Sequence, residues 1–197
     1  AVLNLRYDID ADVINRMDDC RVIARYGIGV DNIAVETAAD RGIPVTNVPD
    51  YCLEEVATHA LSLTLSLARG LKQYDASVAA GEWDRGAGAP LHRFSTRTVG
   101  VVGYGAIGRE VGARAAALGA GVLASDPFLE AEDLADDPAT LTSFEDLCGR
   151  ADVVTVHSPL TDDTRGLLDA DAFARMDDDA VVINVARGPI VDVDDLH

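Results

Sequence analysis

The stretch that most constrains this chain is VVGYGAIG at 101–108, which follows the β-branched run TVGVV and precedes the alanine-rich REVGARAAALG. A buried strand that turns through three glycines straight into a helix has few structural solutions. Gly103 permits the tight turn, Gly105 lets the main chain approach an anionic group, and Gly108 lets helix and strand pack closely. The free N–H groups of the helix start, at Ala106 and Ile107, face the same anion. In this context the pattern predicts a dinucleotide pyrophosphate site.

The rest of the chain repeats a strand and helix rhythm around that point. AVLNL, RVIARYG and IPVTNVP read as strands separated by the helical DADVINRM and NIAVETAADRG. After Thr98 the strands TVGVV, AGVLASDP, ADVVTVHSPL and AVVINVARG alternate with the helices REVGARAAALG, SFEDLCGR and DADAFARM. Short apolar runs bounded by Gly, Pro or Asp and joined by helices argue for an α/β protein with two doubly wound parallel sheets. Between them, 54–80 is interrupted only by Gly70 and is apolar around most of its circumference. It predicts one helix of about 40 Å, long enough to pack between domains or subunits. The Gly-, Pro- and Arg-rich 81–97 is a boundary loop. The division is therefore 1–53, a connecting helix and loop 54–97, and 98–197.

Composition excludes several functions. With 34 acidic and 16 basic residues the net charge is −18, and 26 of the acids are Asp while Lys72 is the single lysine. Such a field repels nucleic acid and anionic membranes, and molar salt screens it to a Debye length of about 3 Å. The balance suits a halophilic, salt-rich cytoplasm; a merely acidic chain would more often carry Glu and Lys in comparable numbers. No run of about 18 apolar residues spans a bilayer, and the first residues lack a secretory leader pattern. Cys20, Cys52 and Cys148 show neither paired nor metal-ligand spacing, so they read as reduced packing residues with no metal site.

Three further positions carry chemistry. Asp126, at the end of the strand after the glycine motif, suits hydrogen bonding to ribose hydroxyls and repulsion of a 2′-phosphate, favouring NAD over NADP; otherwise it only starts the Pro127 turn. His157, with Ser158 and Pro159 at the next strand end, reads as a cofactor-edge contact, otherwise as a packing residue or an acid or base, with no carboxylate beside it in sequence. Arg187 follows Val185 and Ala186 at the end of the last strand and precedes Gly188. It suits a bidentate grip on a carboxylate and polarisation of a neighbouring carbonyl, or alternatively a surface ion pair.

RYGIGVDNI, GIPVTNVPDYCLEEVATHAL, VGVVGYGAIGREV, DVVTVHSPLTDDTRGLL and VVINVARGPIVD, in this order, make the chain resemble the D-isomer-specific 2-hydroxyacid dehydrogenases, with wording closest to the C-terminal-binding-protein-like branch. The resemblance implies a flavodoxin-like substrate domain and a Rossmann domain, both without the family's C-terminal part. It implies NAD-dependent reduction of a small 2-keto acid held in the cleft between them. Arg187 then binds and polarises the keto acid, Ile28 and Gly29 of the GIG turn offer backbone donors to its carboxylate, and Arg6 and Tyr7 help choose the substrate. Val185, Ala186 and His157–Pro159 line the cofactor, and 54–97, with Trp83 as anchor, builds a homodimer. Ala106 stands where the family often has arginine, which removes one pyrophosphate contact. The family's catalytic histidine and glutamate fall beyond residue 197, and His197, expected to open a helix after Asp192, does not replace them. The 197 residues alone are therefore not expected to turn over. The alternatives are a phosphoglycerate or formate dehydrogenase, with Arg6 and Arg25 as the cations placed for a phosphate, and a non-enzymatic NAD(H)-sensing regulator.

Overall fold

The computed structural model describes residues 1–196 and divides into two compact units, Ala1–Cys52 and Leu53–His197. In the first, strands β1 (Val2–Asn4), β2 (Ile23–Arg25) and β3 (Val45–Thr46) form a parallel sheet in the order β1-β2-β3. Val2, Ile23 and Val45 share one register row, and with Ile14 of helix α1 (Ala11–Asn15) and Ala38 of α2 (Val35–Asp40) they belong to one apolar cluster. Successive side chains in a strand point to opposite faces, so the neighbouring row carries Leu3, which is 85% exposed. Asp10 caps α1 by accepting from the Val13 N–H (2.8 Å).

The second unit is built on five parallel strands, β4 (Thr98–Val102), β5 (Gly121–Ser125), β6 (Ala139–Leu141), β7 (Val153–Val156) and β8 (Val181–Asn184), in the order β6-β5-β4-β7-β8. Chain order reverses beside β4, which opens a crevice at the carboxyl ends of β4 and β7, where such sheets bind ligands. Both faces of the sheet are covered. Val99 and Val101 face the cluster that holds Ala115 of α5 (Ala106–Ala117), whereas Val102 faces Leu147 of α6 (Phe144–Cys148). A Cβ on Gly100 would lie 2.5 Å from Leu147 Cδ2, so this glycine is what lets α6 approach the sheet. A short helix, α7 (Ala170–Phe173), precedes β8.

Three expectations are corrected. The segment 54–80 is two helices, α3 (Leu53–Ala68) and α4 (Leu71–Ala79), broken at Gly70. Gly70 is left-handed (φ 59°), and a Cβ there would lie 2.8 Å from Gly88 Cα, so the break is set by the 86–90 loop folding back. Strand β6 lies in 131–142, where no strand was expected. After Asp192 there is no helix among the described residues. The Asp192 carboxylate accepts from the Asp194 N–H (3.0 Å) as a cap would, yet 193–196 continue as bend and turn, and His197 lies outside the described residues.

Candidate functional site

The glycine turn meets its three demands by measurable contacts. Gly103 is at φ 85°, and a Cβ on it would sit 2.5 Å from Ser158 N. A Cβ on Gly108 would sit 2.3 Å from Gly103 O, so β4 and α5 touch through these residues. At Gly105 a Cβ would meet nothing within 4 Å, which leaves open space over the main chain that begins α5. No side chain caps that helix, so its first N–H groups remain available to an anion. Ser158, buried beside Gly103, has an Oγ with no partner among the described residues.

Tyr104, inside the motif, is buried and tied at both ends. Its N–H donates to Asp126 Oδ2 (2.9 Å), and its hydroxyl donates to Asp137 Oδ1 (2.5 Å). Arg109 closes the cluster, donating to Asp137 Oδ2 (2.9 Å) with its guanidinium 5.2 Å from the Tyr104 ring centre. Burial and then the Asp137 carboxylate push the phenol well above its ordinary pKa, so it stays protonated. Arg109, one turn beyond Ala106, is thus committed to Asp137 and is not a substitute for the arginine absent at 106. Sequence reading passed over this cluster because Asp137 is distant in the chain.

Asp126 also accepts from the Phe128 N–H (3.0 Å) through Oδ1. Each oxygen keeps a lone pair for a hydroxyl donor. Beside it lies a cavity of about 510 Å³, lined among others by Gly103, Phe128, Thr142, Phe144, Ser158 and Pro159. No arginine or lysine is among the described residues that line it. The apolar walls, the bare turn and the orphaned Ser158 Oγ fit an adenosine and its pyrophosphate, without provision for a 2′-phosphate. Phe128 and Phe144 were not foreseen, although Ser143 capping α6 by accepting from the Asp146 N–H (3.1 Å) is a signal that places Phe144 at a helix start.

His157 sits at the end of β7, where its N–H donates to Val102 O (2.7 Å) and its Nε2 shares a hydrogen bond with Thr155 Oγ1 (2.9 Å). Burial lowers its pKa to about 4, so the ring is neutral near pH 7. The unfolded chain takes up this proton near pH 6.5 and the folded one near 4, so stability present above pH 6.5 is lost as pH falls towards 4. Between pH 7.5 and 5 the wild type should lose about 2 kcal/mol more than His157→Gln. Denaturant melts of both proteins at the two pH values check this; equal losses would remove the assignment. Cys148 is buried, with its thiol pushed up to about 11, so it is no nucleophile at neutral pH. All three cysteines are free.

Arg187 leaves β8 on a short held turn. Asn184 accepts from the Ala186 N–H (3.0 Å) through Oδ1 and donates from Nδ2 to Arg187 O (2.8 Å), a bracket that sequence reading missed. Val185 packs against the apolar cluster on one face of the sheet and Ala186 against that on the other. The Arg187 guanidinium donates to Ala186 O (3.0 Å).

In the first unit, Arg6 and Tyr7 are exposed on the loop after β1, and Ile28 and Gly29 are half-buried on the turn after β2. Arg25, expected to be placed for a phosphate, is half-buried and bonded within its own unit. Its Nε donates to Gly29 O (2.8 Å), and its Nη1 donates to Asn4 Oδ1 (3.2 Å) and to Leu5 O. Asn32 Nδ2 joins the network at Asn4 Oδ1 (3.1 Å) and Tyr7 O (2.8 Å). Among the described residues no group of acids, histidines and cysteines could hold a metal ion, and no helix is long and apolar enough to cross a membrane.

A glycine turn that opens a helix on a reversed parallel sheet, with a carboxylate at the next strand end, defines a dinucleotide-binding α/β protein. Residues 61–197 match the family described as D-isomer specific 2-hydroxyacid dehydrogenase, NAD binding domain, and the chain belongs to that family. The D-3-phosphoglycerate dehydrogenase of Mycobacterium leprae (strain TN) is 41% identical over 184 residues, which are 93% of this chain and 35% of that protein. The hydroxypyruvate reductase of Thermotoga maritima is 34% identical over 189 residues, 96% of this chain and 60% of that protein. Among solved structures, the D-lactate dehydrogenase from Aquifex aeolicus complexed with NAD and lactic acid superposes with a TM-score of 0.93 at 29% identity, covering 100% of this chain and 60% of that one. The chain thus spans between about a third and three fifths of the length of these relatives.

Proposed function

We propose that the full-length protein is an NAD-dependent D-2-hydroxyacid dehydrogenase that reduces a small 2-keto acid. The observation that carries this reading is the open glycine turn at Gly105, with Asp126 beside it, on the sheet whose last strand delivers Arg187. NADH, when bound, supplies the hydride that adds to the second carbon of the keto acid. Gly103–Gly108 and Ser158 hold the pyrophosphate, Asp126 the adenosine ribose, and His157, Pro159, Val185 and Ala186 line the rest of the cofactor. Arg187 pairs with the keto acid and polarises its carbonyl, which lowers the barrier by stabilising the charge that develops on oxygen. Ile28 and Gly29 offer N–H groups to its carboxylate, and Arg6 and Tyr7 bear on substrate choice. His157, held neutral by burial, is not assigned the proton-donating role, which the family resemblance gives to a histidine and glutamate pair.

The acidic, lysine-poor surface supports work in a salt-rich cytoplasm. Exposed Leu67, Leu71, Val78 and Trp83 support a homodimer through 54–97. A second reading, phosphoglycerate dehydrogenase, is favoured by the name of the mycobacterial relative. With Arg25 Nε and Nη1 tied to Gly29 O, Leu5 O and Asn4 Oδ1, however, only Arg6 of the two cations considered for a phosphate is exposed.

The test is NADH oxidation by the full-length protein at molar KCl across glyoxylate, pyruvate, hydroxypyruvate, its 3-phosphate and longer 2-keto acids. One acid is expected to be reduced well with NADH, at least tenfold better than with NADPH, and Asp126→Ser should erase most of that preference. Preference for the phosphorylated substrate would select the second reading. NADH binding without reduction of any keto acid would sink both in favour of an NAD(H)-sensing regulator.

A further inference from the structure

The turn after β2 is pinned by its carbonyls. Gly27 O accepts from the Val48 N–H (3.0 Å), Ile28 O from Asn47 Nδ2 (2.8 Å), and Gly29 O from Arg25 Nε (2.8 Å). Each planar trans peptide directs its C=O and its N–H to opposite sides. Three consecutive peptides held by their oxygens therefore turn the N–H groups of Ile28, Gly29 and Val30 away from those donors. None of these three N–H groups donates to a described residue. Main-chain donors left without a partner in sequence are available to an anion. Their orientation is set by side chains that do not belong to the turn.

Arg25 is itself immobilised. Its Nη1 is held by Asn4 Oδ1 and Leu5 O, Asn4 Nδ2 donates to Tyr7 O (2.6 Å), and Asn32 braces both Asn4 and Tyr7. The loop carrying Arg6 and Tyr7 and the turn carrying Ile28 and Gly29 thus share one bracket. A guanidinium held through Nε and Nη1 by two backbone oxygens and the Asn4 side-chain oxygen works as a scaffold with a charge, fixing geometry at little further entropic cost.

We propose that Arg25 and Asn47 are positioning residues that orient the Ile28, Gly29 and Val30 amides towards the carboxylate of the 2-keto acid. This rests on the dehydrogenase reading above. The bracket acts on substrate binding and not on hydride transfer.

The test uses the full-length protein with Asn47→Ala and Arg25→Lys, and reads five quantities: KM for the keto acid, Ki for oxamate as an unreactive carboxylate probe, kcat, the Kd of NADH, and the melting temperature. Asn47 is exposed, so its variant is expected to fold and decides the matter if Arg25→Lys does not. Asn47→Ala should raise KM and oxamate Ki together, by about 5- to 20-fold, the loss of one orienting hydrogen bond. Its kcat should stay within about twofold, with NADH Kd and melting temperature unchanged. A KM and Ki within twofold of wild type, or a loss confined to kcat, would overturn the inference. If the wild type neither reduces a 2-keto acid nor binds oxamate, the dehydrogenase reading itself fails and takes this inference with it; wild-type turnover separates the two failures.

Discussion

Arg187→Lys in the full-length protein should lower kcat/KM for the keto acid by about three orders of magnitude, while the Kd of NADH stays within about twofold. The substitution keeps the positive charge and removes the planar fork. If charge alone mattered, lysine would suffice. The proposed task demands two directed contacts at once, one to the keto acid carboxylate and one to the oxygen on which charge accumulates, and an ammonium on a flexible stem satisfies both poorly. The local structure supports a directed role: Asn184 bonds the chain on both sides of residue 186, which fixes where the Arg187 side chain departs. Most of the loss should fall on kcat, because the contact that strengthens as the carbonyl gains charge is made in the transition state. Steady-state kinetics beside an NADH titration by fluorescence separates this from general damage. Arg187→Lys at near wild-type efficiency would mean that Arg187 only pairs with a surface acid.

What could be read from the chain alone divides by how local the physical demand is. The glycine turn at Gly103–Gly108 and Asp126 at a strand end were legible because a local pattern carries them, a β-branched run that turns through glycines into a helix, even though the atoms that exclude a Cβ at Gly103 belong to distant Ser158. The caps at Asp10 and Ser143 are legible for the same reason. The break at Gly70 was not, since the atoms that exclude a side chain there belong to Gly88, and a glycine within an apolar helical pattern is tolerated elsewhere. Strand β6 escaped because ATL is short and carries little alternation, and its place comes from pairing with β5. Arg25 illustrates the same limit in the site. Its sequence position suits an outward cation, but Asn4 and Leu5, 21 and 20 residues earlier at the end of β1, hold it. Tyr104 looked like filler between glycines, and its partner Asp137 lies 33 residues on, beyond α5 and β5.

Gly108→Ala and Gly105→Ala should part company in the clearest way this fold allows. At Gly108 the added methyl carbon would stand 2.3 Å from Gly103 O and 3.1 Å from Val101 Cγ1. Main chain cannot yield as a side-chain tip does, so α5 must move off β4. Overpacking of this kind costs about 1–3 kcal/mol or more, and the turn proposed to present N–H groups to the pyrophosphate is displaced with it. The expected result is a lowered melting temperature and a loss of NADH affinity of at least 100-fold. At Gly105 the same methyl meets nothing within 4 Å, and the backbone is at φ −78°, which alanine adopts freely. Stability should therefore stay within about 0.5 kcal/mol of wild type. The methyl nevertheless stands over the main chain that the pyrophosphate is proposed to approach, so NADH affinity should fall about 10- to 100-fold. Thermal melts with and without NADH read both variants. If Gly105→Ala were to bind NADH as the wild type does, the open space above that glycine would not be where the phosphates sit, and the cofactor reading of the turn would have to be abandoned even though the fold around it stands.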